Sequence, residues 1–378
     1  MRTRFLRRER DELHRLLPGL DEVLATIALA ELEGTGSTAV AEFRRFGGPG
    51  LLVPSDYGGK GAGALQAVRV QRAIAARSPS LGVATAMHHY SVCTLTLVSN
   101  SGVDGGVLLK SIATKNQLVA SGLSESRSDG RVLAPSMAAT PGPDGLRITG
   151  IKRPCSLAHS MDLLAVSVLV PAASGTGEQL AVAVLDADDP GVVVNPFWSS
   201  FALAAAESHQ VAVDDVAVPM DRVLRTDVAD DGRIDEIQTA AFAWFELMVM
   251  GSYLGIASAL VERAIALDRV AEATRLDLVT TVESAMAAVE NLARQLPERE
   301  HDVELLVDAL LVRYAVQDAI AAVTPRAVEL LGGLNFMGSD DIGYLAAAVN
   351  CLAFHPPSRS RMAVPLIRYF GGSPLRVG

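Results

Sequence analysis

The stretch GLRITGIKRPCSLAHSMDLLAVSVLV, Gly145 to Val170, holds two runs, GLRITGIK and DLLAVSVLV, rich in aliphatic and β-branched residues and separated by turn-forming ones. Runs of this length and composition read as strands. They are not isolated. QLVASGLSE (117–125), QLAVAVLD (179–186), GVVVNP (191–196) and HQVAVDDVAV (209–218) continue the same short spacing. Residues 116–228 are therefore expected to form a mostly antiparallel sheet or small barrel.

On either side the period changes. LDEVLATIALAELE (20–33) and LQAVRVQRAIAARS (65–78) carry apolar residues three and four apart, with the Gly- and Pro-rich loop GGPGLLVPSDYGGKGAG (47–63) between them. After residue 228, FELMVMGSYLGIASALVERAIALDRVAEA, LVTTVESAMAAVENLARQL and VELLVDALLVRYAVQDAIAAVTPRAVELLGG are long enough for a helical bundle, with stops near Pro297 and Gly332. The expected class is α+β: an N-terminal helical domain (1–115), a central β domain (116–228) and a C-terminal helical bundle (229–378). Phe242 to Ile256 has almost no polar face and is expected to be buried. Its one charge, Glu246, then needs a reason to be there.

Composition narrows the function. With 378 residues, 49% of them apolar, the chain can bury a large core. A formal charge of -10 argues against nucleic acid as a partner, because a phosphate backbone wants a basic surface. Cys93, Cys155 and Cys351 lie far apart, so neither a metal site nor a disulfide framework is indicated. The Arg-rich start is interrupted by Glu9, Asp11 and Glu12, unlike a targeting presequence, and no uninterrupted apolar run reaches membrane-span length. No membrane and a cytoplasmic location are the expectations.

Five stretches, in order, resemble the acyl-CoA dehydrogenase family of flavoproteins over nearly the whole chain. They are GPGLLVPSDYGGKGAG (48–63), GLSESRSD (122–129), ITGIKRPCSLAHSMDLLAV (148–166), SHQVAVDDVAVPMDRVL (208–224) and ELLGGLNFMGSDDIGYL (329–345). The resemblance implies an N-terminal helical domain, a central β domain and a C-terminal four-helix bundle. It further implies FAD between β domain and bundle, an acyl thioester on CoA or a carrier protein as substrate, and a homotetramer or homodimer.

Carried over by motif, Leu123 and Ser124 fall at the pyrimidine edge of the flavin. Ser156 falls against its N5, with Pro154 and Cys155 beside it. Ser128 and His89 fall on the acyl pocket; His88 adjoins. Glu329, Gly332 and Gly333 fall at the turn over which a neighbouring subunit's FAD passes, and Ser358 keeps a flavin-side position. The family's Arg for the pyrophosphate is absent, leaving Arg275 as a substitute, while Arg359 and Arg361 are either phosphate ligands or surface charges. Pro356 stands where the family's catalytic Glu belongs. Glu246 is the leading candidate for a relocated base, against a buried structural partner for an Arg; His355 is the second candidate, against a helix-end histidine.

Three readings follow. The first is an FAD-dependent dehydrogenase of acyl thioesters in specialised biosynthesis, removing an α-proton by the relocated base and passing hydride to N5. The second keeps the flavin but does redox-neutral cyclisation or monooxygenation. The third is a non-catalytic subunit of a heteromeric complex.

Overall fold

The computed structural model describes residues 4–100, 105–123, 135, 137–171, 178–225, 236–297, 299 and 302–376. The first block is helical: α1 (Arg7–Leu16), α2 (Leu20–Thr26), α3 (Leu29–Glu33), α4 (Ala39–Arg45), α5 (Ala64–Arg77), α6 (Pro79–Asn100) and α7 (Gly106–Lys115). Eight strands follow: β1 (Val119–Gly122), β2 (Ala138–Pro141), β3 (Gly145–Cys155), β4 (Leu163–Pro171), β5 (Glu178–Asp186), β6 (Val192–Asn195), β7 (His209–Pro219) and β8 (Val223–Arg225). The last block contains α8 (Glu236–Ile265), α9 (Glu272–Gln295), α10 (Val303–Leu331), α11 (Gly333–Gly338), α12 (Asp340–Ala348) and α13 (Arg359–Phe370).

The strands make two four-stranded sheets, in the orders β1-β4-β5-β8 and β2-β3-β7-β6. Every pair is antiparallel except β1 with β4, where Val119 lies opposite Leu163. In β3 the ladder to β7 slips between Lys152 and Cys155, at Pro154, which has no N–H to offer. It resumes with Cys155 opposite His209, bringing Ser156 and Ser208 side by side.

α8 is the axis of the helical part. It packs against α5, α6, α9 and α10, so although long and apolar enough to cross a bilayer by composition, it is covered by protein. Gly255 makes the α5 contact possible: a Cβ there would sit 2.4 Å from the Arg72 carbonyl oxygen. Each fully buried Leu, Met or Phe on this helix contributes about 1.5–3 kcal/mol. Local signals set the ends of its neighbours. Ser78 accepts from the Leu81 N–H where Pro79 opens α6, and the Asp302 carboxylate accepts from the Leu305 N–H at the start of α10.

Candidate active site

Where α6 and α8 face the sheets, the fold leaves a cavity of about 150 Å³. α6 contributes Val83, Met87 and Tyr90, a stripe at helical spacing. α8 contributes Phe242, Phe245 and Tyr253, again from one face. The β side supplies Ser121, Leu123, Pro154, Ser156, Trp198, Leu203 and Ser208, and the segment before α13 supplies Cys351, Phe354, His355 and Pro356. Among these lining residues there is no carboxylate, lysine or arginine.

One wall carries neutral hydroxyls. Ser156 and Ser208 lie 3.0 Å apart, Oγ to Oγ; Ser121, on β1, adds a third. Pro154, Leu123 and Trp198 add apolar side chains to the same lining, and Trp198 is pinned by its Nε1–H donating to the Ala202 carbonyl at 2.9 Å. The Leu123 carbonyl accepts from Ser167, which in turn accepts from Lys152 Nζ at 3.0 Å. Apolar side chains together with hydroxyls suit a heteroaromatic ring with a polar edge, and an isoalloxazine meets that description.

Another part of the lining carries the imidazole. His355 Nε2 lies 2.8 Å from the Tyr253 hydroxyl, and its ring sits edge-on to Phe245, 6.1 Å between centroids. Burial pushes the imidazole down to about 3, with the Arg313 charge adding to the effect, so His355 is neutral at physiological pH. Behind it, fully buried Arg313 of α10 donates from Nη1 to Glu246 Oε1 at 2.8 Å and to the Pro356 carbonyl at 3.2 Å. Its Nη2 donates to the Leu352 carbonyl at 3.1 Å and to the His355 carbonyl. Burial pushes the Glu246 carboxyl up to about 7, against the pull of Arg313.

The predicted residues divide. Leu123, Pro154, Ser156 and His355 line the cavity. Ser124 and Ser128 lie outside the described residues. Cys155 is buried behind the wall, its thiol pushed up to about 12 by desolvation. Glu246 is buried and faces Arg313 instead of the cavity. His88 accepts from the Val119 N–H at Nδ1 and meets the Pro49 carbonyl at Nε2, which ties β1 to the loop before α5. His89 is buried against Phe43 and is not a lining residue. At the end of α10, Glu329 pairs with Arg326, and Gly332 takes a φ of 85° beneath Arg269. Gly333 starts α11, and none of these three borders the cavity. Ser358 shares its hydroxyl with Ser360, Arg359 pairs with Asp318, and Arg275 reaches the Ile265 carbonyl. Tyr90, Tyr253, Phe242, Trp198, Ser208 and Arg313 were not singled out from sequence. For Tyr253 the signal was present: it lies on the same helical face as Phe242.

No family model matches the chain. Isobutylamine N-hydroxylase from Streptomyces viridifaciens is 43% identical over 379 residues, covering 99% of this chain and 100% of the relative. Dibenzothiophene monooxygenase from Rhodococcus qingshengii is 32% identical over 198 residues, 51% of this chain and 47% of the relative. Among solved structures, TdsC from Paenibacillus sp. A11-2 in complex with FMN and indole superposes with a TM-score of 0.83 at 21% identity, covering 96% of this chain and 98% of that one.

These relatives correct the first functional expectation. They are a hydroxylase and a monooxygenase, so the dehydrogenation of an acyl thioester, on CoA or a carrier protein, is withdrawn. With it go the α-proton-base role of Glu246 and His355 and the acyl-pocket role of His89 and Ser128. The flavin held by TdsC is FMN, not the FAD implied by the resemblance. Identity of this level across the full length of both proteins has one consequence: the chain belongs to the family of isobutylamine N-hydroxylase, built on the acyl-CoA dehydrogenase fold.

Proposed function

We propose that this protein is a flavin-dependent monooxygenase that hydroxylates the nitrogen of a small aliphatic primary amine. The carrying observation is the character of the cavity: the described residues that line it are apolar side chains, neutral hydroxyls and one imidazole, and among them no carboxylate stands to hold an ammonium ion. An alkylammonium ion loses its hydration on entering such a site, so the free base is the favoured form. N-oxygenation needs the free base, because the nitrogen lone pair attacks the oxygen that is transferred. The full-length likeness to isobutylamine N-hydroxylase points the same way.

Ser121, Leu123, Pro154, Ser156 and Ser208 would hold a reduced flavin, whose chemistry when bound would be the activation of dioxygen. FMN is the form this reading favours, from the likeness to TdsC. Val83, Met87, Phe242 and Phe245 hold the alkyl group and exclude water. His355 and Tyr253 are the polar groups facing the reacting nitrogen. Neutral His355, coupled to the Tyr253 hydroxyl at 2.8 Å, can hold the amine nitrogen by hydrogen bonding and so orient its lone pair, without bringing a charge into the cavity.

The test uses purified protein, photoreduced FMN, isobutylamine and ¹⁸O₂. Isobutylhydroxylamine carrying one ¹⁸O, detected by mass spectrometry, supports the proposal. Oxygen consumed with no N-oxygenated product from any of a panel of primary amines overturns it.

A further inference from the structure

We propose that Arg313 and Glu246 are positioning residues that hold His355 in the cavity. The inference rests on the reading of His355 as the group facing the reacting nitrogen. Between α12 and α13 the chain borders the cavity as a 3-10 helix (Val349–Phe354) followed by a short non-helical link, and its carbonyls at Leu352, His355 and Pro356 converge on one guanidinium. A buried carbonyl needs a donor, and the rigid fork of an arginine can serve several carbonyls at once, where an ammonium presents a single compact charge. The backbone on both sides of the His355 side chain is thereby tied to α10.

The division of labour within the guanidinium supports positioning over simple stabilisation. An arginine placed to weld two helices by charge commonly grips its carboxylate with two parallel bonds. Here Nη2 goes to the Leu352 and His355 carbonyls, Nη1 is shared between Glu246 and Pro356, and the ion pair keeps one contact, at 2.8 Å. Among the described residues, Glu246 Oε2 and Arg313 Nε make no hydrogen bond. Glu246 balances the buried charge and sets the rotation of the fork. It comes from α8, the helix whose Phe245 and Tyr253 contact the imidazole itself. The ring of His355 is thus referred to α8 and its backbone to α10, the two helices that the Glu246–Arg313 pair joins, and neither charged residue lines the cavity.

The test is a double-mutant cycle joined to a readout that needs no turnover. Arg313→Lys keeps the charge and loses the fork; His355→Ala removes the group to be positioned. With isobutylamine, Arg313→Lys is expected to lower kcat by about 100-fold, the scale of a misplaced reacting group, leave KM nearly unchanged and divert oxygen to hydrogen peroxide. In the His355→Ala background the same change is expected to have no further effect on kcat. Equal effects in both backgrounds, or full activity in Arg313→Lys, overturn the proposal.

If Arg313→Lys does not fold, Glu246→Gln takes its place in the cycle. Independently of amine oxidation, ¹⁵N-histidine NMR of the protein without flavin should show His355 as one fixed tautomer, replaced by averaged signals in the variant. Unchanged His355 signals overturn the positioning role even if the wild type oxidises no amine, and the absence of N-hydroxylation alone overturns only the functional reading.

Discussion

Tyr253→Phe removes one oxygen atom from the centre of the site and little else. Tyr253 is fully buried, and its ring packs edge-on to His355 at 5.4 Å between centroids; phenylalanine preserves that packing and opens no sizeable void. Lost is the 2.8 Å hydrogen bond to His355 Nε2. A buried polar atom deprived of its partner costs about 1–3 kcal/mol. With an unfolding entropy of roughly 2.1 cal/mol/K per residue, a 378-residue chain unfolding as one unit should lose roughly 1–4 °C in Tm. If the same bond operates fully in the transition state, kcat for hydroxylamine formation should fall roughly 5- to 150-fold. KM for the amine should stay nearly constant, because Val83, Met87, Phe242 and Phe245 still hold the alkyl group. Differential scanning fluorimetry and mass-spectrometric product assays measure both. An unchanged Tm together with an unchanged kcat would refute the reasoning, since the bond would then have neither structural nor catalytic worth.

Stability should depend on pH with opposite signs at two positions. Folding moves His355 from 6.5 down to about 3, so its contribution is complete above pH 6.5 and is lost on acidification toward 3, at up to about 1.4 kcal/mol per pH unit. His88, lowered to about 4, acts in the same sense. Glu246, raised from 4.5 to about 7, works against the fold as the pH rises through that window. Denaturant melts at several pH values should therefore flatten on the acid side in His355→Gln and gain stability toward neutrality in Glu246→Gln relative to pH 4.5; parallel profiles would contradict the assignment. Phe242→Ala should broaden the choice of amine. Tyr90, Leu123 and Phe242 separate the main cavity from a second of about 40 Å³ lined by Thr94, Leu180, Val182 and Ile237. Removing that wall should raise kcat/KM for longer amines by roughly fourfold per added methylene, at a stability loss of about 3–5 kcal/mol; an unaltered chain-length profile counts against the wall. Finally, Leu334, Met337, Val364, Ile367 and Phe370 are exposed on α11 and α13. We propose self-association through them, to a dimer or tetramer; native mass spectrometry should show an oligomer that Ile367→Asp weakens, and a monomer at micromolar concentration would dismiss it.

The helix, sheet and helix blocks were legible in sequence because period and composition are local: β-branched runs between turns around Gly145 to Val170, and three- and four-residue spacing on either side. The unbroken apolar character of Phe242 to Ile256 called for burial, and α8 lies at the centre of the helices. Motif register named Leu123, Pro154, Ser156 and His355, all of which border the cavity, because short stretches keep their local shape and so their spacing. The same register misled about chemistry: a chain can keep the scaffold while the reacting groups change, and Pro356 in place of a carboxylate and the missing pyrophosphate arginine were the local signs of it. What surrounds each group was not legible. Glu246 and its partner Arg313 are 67 positions apart, Tyr253 and His355 are 102 apart, and Ser156 meets Ser208 only through the resumed ladder of β3 and β7. Such contacts depend on how α8 crosses α10 and on where Pro154 interrupts a strand. Sequence alone showed that a lone carboxylate stands in an apolar helix; only the tertiary structure, by supplying the guanidinium that takes it up, decided that it faces a backbone clamp and not the reacting space.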